Sequence, residues 1–364
     1  MNAQDIPSDL LSLLRRGTVL PAHPLALTTE RKMDLAHQRA ITRYYMDAGA
    51  GGVAVGVHTT QFAIREVGLF KPVLELAAET VREWSPEGAG LLIAGVTGLT
   101  AQAVAEAQLA RSLGYHAVLL NVARLKGASE GEVLAHCRTV AAEMPVIGFS
   151  LLPLVGGFHL SYDFWRAFAQ IDNVIAIKMA PFDRYRTLEI VRAVQDAGVT
   201  DRVTLYTGND DHIVMDLLQP FAIRNEDGTR ETRVRIRGGL LGHWSVWAKP
   251  AVDLLARIHG VPDGADMPED LMAVDSIVTD CNLAIYDALN DLKGCIPGCL
   301  EVLRRQGLVQ GSWCLNPDEV MSAGQLGQID RVYRQYPEMN DDAFVYANLD
   351  RWLSDGGKNR PLVA

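Results

Sequence analysis

Short apolar runs alternate with longer amphipathic stretches from residue 50 to 260, and this alternation limits the folds open to the chain. The runs are "GGVAVGV" (51–57), "GLLIAGV" (90–96), "HAVLLNV" (116–122), "PVIGFSL" (145–151), "NVIAIK" (173–178), "RVTLYTG" (202–208) and "IRGGLLG" (236–242). Between them, stretches such as "AQAVAEAQLARSLG" and "RYRTLEIVRAVQDAG" have helical periodicity, and several end in glycine, a common helix stop. "GTVLPAH" (17–23) supplies an opening strand and brings the number to eight. Near-continuous apolar strands are buried on both faces, and alternation with helices makes the sheet parallel. Eight such units in about 250 residues suit an α/β fold of the (β/α)8 TIM-barrel type. A doubly wound sheet is the rival, but no Gly-x-Gly-x-x-Gly fingerprint follows the first strands.

Two segments depart from the repeat. Phe221 to Ile236 reads as a β-hairpin turning at "EDG", inserted before the eighth strand. Beyond about residue 262 the strand signal stops, and "LMAVDSIVTDCNLAIYDALNDL", "GCLEVLRRQG" and "QLGQIDRVYRQY" read as helices. The expected organisation is a barrel domain over residues 1–261 and a helical C-terminal region over 262–364.

Of the 364 residues, 48% are hydrophobic, enough for a large core, and no apolar run reaches the length of a membrane span. The opening "MNAQDIPSDLLSLLRRG" has no signal-peptide pattern, so a cytoplasmic location is the default expectation. A formal charge of −10 with scattered arginines argues against a nucleic-acid groove and leaves a small molecule as the expected partner. Cys137, Cys281, Cys295, Cys299 and Cys314 lack the short paired spacings of a zinc site and read as buried, reduced thiols.

Chemistry in such a barrel collects where strands end and the following loops begin. Those ends carry "HTTQ" (58–61), Asn121, "FS" (149–150), Lys178, "TGNDD" (207–211) and "GHW" (242–244). No carboxylates or histidines stand there at metal-ligand spacing, so no metal is expected. Lys178 ends an apolar strand, although lysine is rarely buried without a partner. Desolvation lowers a lysine's pKa, and a neutral amine attacks a ketone or aldehyde to form a Schiff base. The hydroxyls and amides of Thr59 and Thr60 could hold a carboxylate beside that carbon, which describes a 2-oxo acid. The plainer reading is a lysine that snorkels outward or pairs with Asp211.

The threonine pair in "VGVHTTQF", the stretch "AGVTGLTAQAVAEAQLARSLGYHAVLL", the strand "PVIGFS", the lysine of "VIAIKMA" and "LYTGNDD" agree in order and spacing with one family. From about Gly17 to residue 335 the chain resembles the dihydrodipicolinate synthase and N-acetylneuraminate lyase family of class I aldolases. The resemblance implies a TIM barrel with a helical C-terminal domain, assembled as a homo-oligomer (a dimer or a tetramer). It implies no cofactor beyond the covalent Schiff base, formed between Lys178 and pyruvate or another 2-oxo acid. It also implies carboxylate binding by Thr59 and Thr60, a substrate loop at Thr207 to Asp211 that includes Gly208 and Asn209, and a ketone side lined by backbone near Leu241.

Departures from the family pattern are as informative. The Tyr-Asn pair ending the fifth strand is Phe149-Ser150 here, and phenylalanine has no hydroxyl to relay a proton. "NVARLKG" replaces the loop that carries a second relay tyrosine. The arginine that synthases use for a second carboxylate has no counterpart in "SLLPLVGGFH". Losing a positioned acid–base group costs about two to four orders of magnitude. His58, beside the threonines, and then His243 are the expected replacements, because an unperturbed histidine titrates near neutrality. Phe149, Phe62, Leu125, Trp244 and Trp247 make the expected mouth less polar, suited to an aromatic or aliphatic aldehyde. Packing of these aromatics against the hairpin and C-terminal helices is the alternative.

The reading is therefore a Schiff-base aldolase or lyase. Lys178, His58 and Thr60 are catalytic; Thr59, Thr60, Asn121, Phe149, Ser150, Gly208, Asn209, Leu241 and His243 contact substrate. A Schiff-base dehydratase of a sugar acid and a non-catalytic paralogue that binds a 2-oxo acid are the rivals.

Overall fold

The computed structural model describes residues 1–85, 89–224, 228–355 and 362–363. Its strands are β1 (Val19–Pro21), β2 (Gly52–Val55), β3 (Leu91–Val96), β4 (Ala117–Leu120) and β5 (Val146–Leu151). They continue with β6 (Val174–Ala180), β7 (Thr204–Thr207), β8 (Phe221–Arg224), β9 (Glu231–Val234) and β10 (Gly238–Leu241). One eight-stranded sheet runs in the order β1-β10-β7-β6-β5-β4-β3-β2, with neighbours parallel. A parallel bridge from Ala22 to Ala54 joins the two ends, so the fold is the expected TIM barrel.

Every residue of β2, β3, β4, β6, β7 and β10 is buried, which is the reason these runs are apolar on both strand faces. Helices follow the strands as expected, and several begin on side-chain caps. Asp34 caps Leu35–Asp47, Ser161 caps Tyr162–Ala169, and Asp183 accepts from the backbone of Tyr185 and Arg186 to start Arg184–Asp196. Ser129 and Glu132 form a capping box at the head of Glu130–Ala141. The hairpin pairs β8 antiparallel with β9, from Phe221 opposite Val234 to Arg224 opposite Glu231. Of its expected "EDG" turn, residues 226 and 227 lie outside the described residues.

By its internal contacts the chain forms two compact units, Met1–Thr18 with Ile93–Leu240 and Val19–Leu92 with Leu241–Ala364. The expected boundary at residue 261 falls inside the second unit, between helices Ala248–His259 and Glu269–Ile285. In the first unit, a helix the periodicity did not single out, Ser8–Arg16, buries Leu10 and Leu14, and the Tyr206 hydroxyl donates to the Leu14 carbonyl at 2.8 Å. The second unit holds the C-terminal helices Glu269–Ile285, Cys295–Arg305, Gln325–Gln335 and Asp342–Leu353. All five cysteines are free and buried. No described helix is long and apolar enough to cross a membrane.

Asp341 ties the helical segment to the barrel helices of its unit. Its carboxylate accepts from the Tyr44 hydroxyl at 2.6 Å, the Lys249 backbone at 3.2 Å and the Gln306 amide at 2.8 Å. The Tyr44 hydroxyl in turn accepts from the Ala248 backbone at 2.7 Å. Removing the carboxylate strands several buried donors, each worth about 1–3 kcal/mol. Asp341→Ala is expected to lower unfolding free energy by about 3 kcal/mol in urea titration, far more than an exposed control such as Asp253→Ala.

Candidate active site

Lys178 sits near the end of β6, a strand buried along its whole length, and is itself only 8% exposed. Its neighbours in register are Phe149 on β5 and Tyr206 on β7. The ammonium nitrogen lies 4.4 Å from the centre of the Phe149 ring, on the π face that attracts a cation. Gly208 leaves room for the lysine stem: a Cβ there would stand 2.6 Å from Lys178 Cε and 2.9 Å from the Ala180 Cβ. Burial pushes the Lys178 pKa down to about 8, against a smaller upward pull from the Asp210 carboxylate. The carboxylate that acts on the lysine is thus Asp210, not its neighbour Asp211.

The loop after β7 is held from beneath by Asp216, which is fully buried. One carboxylate oxygen takes the Thr207 hydroxyl at 2.6 Å and the Asn209 amide at 2.9 Å, and the other takes Arg184. Asn209 also donates to the Thr187 hydroxyl at 3.0 Å and accepts from the Phe182 backbone at 3.1 Å. The side chain expected to contact substrate is therefore engaged as scaffold for Gly208 and Asp210. Asn121 likewise accepts from the Ala123 backbone at 2.8 Å and shapes its own loop. Ser150 follows Phe149 on β5 and is half-buried. Phe164 and Phe168, stacked at 6.0 Å, line with Leu120, Cys137 and Phe149 a residual cavity of only about 10 Å³.

In the other unit, β2 runs into two tight turns, His58–Thr60 and Phe62–Arg65. Thr59 donates its hydroxyl to the Ala22 carbonyl at 2.7 Å, and Thr60 donates to the His23 carbonyl at 2.6 Å while accepting from the Gly56 backbone at 3.0 Å. Both hydroxyl protons are thus committed to the end of the β1 segment. His58 is half-buried, with its ring 6.0 Å from that of Phe62. Gln61 joins the two turns at φ +68°, a left-handed conformation costly for any residue but glycine. It is 4% exposed, and its side-chain oxygen accepts from the Leu315 backbone at 2.6 Å. Its amide nitrogen has no acceptor among the described residues, a cost of about 1–3 kcal/mol for a buried donor.

Leu241 is buried at the end of β10, and its carbonyl accepts from the Ala22 backbone at 3.2 Å. His243 is buried, and desolvation pushes its pKa down to about 4. This corrects the expectation that His243 titrates near neutrality. Its ring packs edge-on to Trp247, which meets Tyr333 of the Gln325–Gln335 helix at 5.4 Å. For Trp247 the packing alternative describes what is found. Trp244 is also buried, while Phe62 and Leu125 are half-buried. Gln61, quoted in the sequence only as the end of "HTTQ", was given no role there, and His23, buried with a pKa lowered to about 4, reads as an ordinary strand end.

A family model, the Dihydrodipicolinate synthetase family, matches residues 16–220. N-acetylneuraminate lyase 2 of Escherichia coli O6:H1 is 25% identical over 197 residues, covering 53% of this chain and 61% of that protein. N-acetylneuraminate lyase of Citrobacter koseri is 26% identical over 204 residues, covering 55% and 65%. The chain thus spans less than two thirds of the length of these curated relatives. Among solved structures, a prophage protein of Escherichia coli K12 from the dihydrodipicolinic acid synthase family, in complex with pyruvate, aligns with a TM-score of 0.71 at 16% identity, covering 88% of this chain and 98% of its own. N-acetylneuraminate lyase from Fusobacterium nucleatum aligns with a TM-score of 0.69 at 16% identity, covering 88% and 99%. At such identities the structural likeness speaks to fold.

A lysine lowered from 10.5 to about 8 costs the folded state roughly 3 kcal/mol wherever both forms are protonated. The folded pKa lies below the unfolded one, so the cost is full below pH 8 and fades as pH rises to about 10.5. Lys178→Met is expected to be more stable than wild type by about 2–3 kcal/mol at pH 7, with the gain shrinking by pH 9.5 in paired urea titrations.

Proposed function

Because the chain belongs to the dihydrodipicolinate synthetase family, we propose that it is a lysine-dependent class I aldolase or lyase acting on pyruvate or another 2-oxo acid. The observation that carries this reading is a dry lysine whose pKa falls to about 8 beneath an aromatic ring. At pH 7 roughly a tenth of such amines are neutral, against fewer than one in a thousand at the ordinary value.

The neutral amine adds to the keto carbon, and the resulting carbinolamine loses water to give an iminium. Cleavage sends the electrons of the bond beyond the α-carbon into that iminium, releasing an aldehyde and leaving an enamine. Protonation of the enamine carbon and hydrolysis free the 2-oxo acid, and condensation runs the same steps backward. Asp210 offsets the iminium charge, as it offsets the ammonium, and the Phe149 face adds cation–π attraction while excluding water. The 2-oxo acid carboxylate falls to the Thr59–Thr60 turn by its match to the family motif. Phe149 cannot relay protons, and His243, with its pKa near 4, is a poor acid–base group at neutral pH. His58 or a bound water is left for that task.

The apolar ring beside Lys178 favours an aldehyde partner less polar than a sugar or dicarboxylate. A homo-oligomer in the cytoplasm and no cofactor beyond the lysine adduct complete the proposal. The missing relay hydroxyl is also what favours a second reading, a 2-oxo-acid binder that forms the adduct but turns nothing over.

Borohydride reduction in the presence of pyruvate, followed by peptide mass spectrometry, tests the adduct. A reduced pyruvyl group is expected on Lys178 and on no residue of Lys178→Ala; its absence with pyruvate and with longer 2-oxo acids would sink the proposal. Asp210 raises the lysine's pKa, so Asp210→Asn should lower it further. The acid limb of trapping against pH is then expected to move down by about one unit.

A further inference from the structure

Within the second unit, the chain between helices Cys295–Arg305 and Gln325–Gln335 includes an irregular strap. Residues 310–324 adopt neither helix nor strand, and only Gly311 and Cys314 among them are buried. Among the described residues, the backbone–backbone hydrogen bonds of the strap stay within it or reach Gln325: Glu319 donates to Asn316, and Gln325 to Ser322. Side chains hold it to the rest of the unit. The single peptide group between Cys314 and Leu315 is gripped at both ends. Its carbonyl accepts from Arg31 Nε at 2.9 Å, and its N–H donates to Gln61 Oε1 at 2.6 Å. Further along, the Ser322 hydroxyl donates to Asp287, and the Ser322 N–H donates to Gln325 Oε1 at 3.0 Å.

Three of these anchors share a backbone conformation. Arg31, Gln61 and Asp287 stand at φ 56°, 68° and 56°, left-handed values that a non-glycine residue adopts at a cost. Strain of this kind persists only where its surroundings hold it, and it gathers at clamps and switches. A hydrogen bond whose partner water can replace returns little net stability, and release of the anchors relieves the strain. Apolar burial adds little, since Cys314 alone among the strap's apolar side chains is buried. The closed strap is therefore held by a small margin. The two barrel loops it grips are also joined to each other: Thr59 and Thr60, just before Gln61, donate to the Ala22 and His23 carbonyls that lead into the loop of Arg31. We infer that residues 310–324 are a latch that opens in one piece well below global unfolding, and that its release loosens the loop 24–34 together with the turns His58–Thr60 and Phe62–Arg65. The latch couples the C-terminal region to strand ends of the kind where a barrel's chemistry collects. It stands apart from the Schiff-base reading, because every residue in it belongs to the second unit.

Cys314 is a built-in reporter of opening, and Cys281 and Cys299, buried within helices of the same unit, are internal references. Iodoacetamide labelling of the full chain, read site by site by peptide mass spectrometry across a low urea series, compares them. Cys314 is expected to label at least about tenfold faster than Cys299, with a much shallower urea dependence. Ser322→Ala removes one hydroxyl far along the strap from the reporter, yet should speed Cys314 about fivefold, and Gln61→Met about tenfold, with the helical cysteines unchanged. Hydrogen exchange in these variants is expected to rise in 24–34 and 58–65 as well as in 310–324. Labelling of Cys314 in step with Cys299, at the same urea slope, would overturn the latch, and wild type alone decides this if a variant misfolds. An unmoved Cys314 in Ser322→Ala means that the strap does not open in one piece. Unchanged exchange in 24–34 and 58–65 means that its opening releases nothing, and either result sinks the inference.

Discussion

Keeping an amine dry is the constraint around which the first unit is arranged. A lysine nitrogen loses several kcal/mol of hydration when buried, and here the Asp210 carboxylate and the Phe149 face replace part of it. Each surrounding choice follows. Gly208 is the residue that fits against the lysine stem, and Asn209 and Thr207 turn toward Asp216 so that the glycine and Asp210 stay in place. The aromatic group behind Phe149 packs against it with a residual cavity of only about 10 Å³. Burial of Lys178 lowers its pKa, so by linkage the charged lysine works against the native state at neutral pH.

Both units share a habit of satisfying polar groups internally. Asn121, Asn209, Thr59 and Thr60 direct their hydrogen-bonding atoms to backbone or to buried side chains. This rigidifies the loops but reduces the polar groups open to a ligand, which agrees with the loss of tyrosine and arginine relative to the family pattern. Under the Schiff-base chemistry proposed above, such a site would read its substrate with few contacts: the lysine adduct, a carboxylate contact and apolar surface. Discrimination then depends on shape more than on hydrogen-bond count, and hydrophobic pockets separate close analogues by only about 10–200-fold.

The strands were legible because β2, β3, β4, β6 and β7 are buried on both faces and so are written as unbroken apolar runs. Lys178 was legible for the same reason, as a charge that ends an otherwise apolar run. Finer assignments depend on tertiary geometry. Asp210 and Asp211 are indistinguishable as letters, yet only the first acts on the lysine. His243 looks like a neutral-pH group until its burial is known, and Asn209 looks like a ligand until Thr187 and Asp216 are found around it. Gln61 stood in the strand-end "HTTQ" without a role, because a positive φ and an orphaned amide have no sequence signature. The N-terminal helix was passed over because a single amphipathic turn pattern before the first strand has no partner strand to announce it.

The interleaving of the two units also bears on how the protein is made. Residues 19–92 belong with residues 241–364, so the polypeptide between them must be synthesised before their partners exist. At about 5–20 residues per second the early segment waits on the order of ten seconds or more, with Tyr44, Tyr45 and Trp84 lacking the helices that finally cover them. The intervening first unit can compact during that wait, except that it too reaches back to residues 1–18. Such long-range closure slows folding and lengthens the exposure of aromatic surface. The delay before that surface is covered is set by the order of segments along the chain, independently of how stable the finished barrel is.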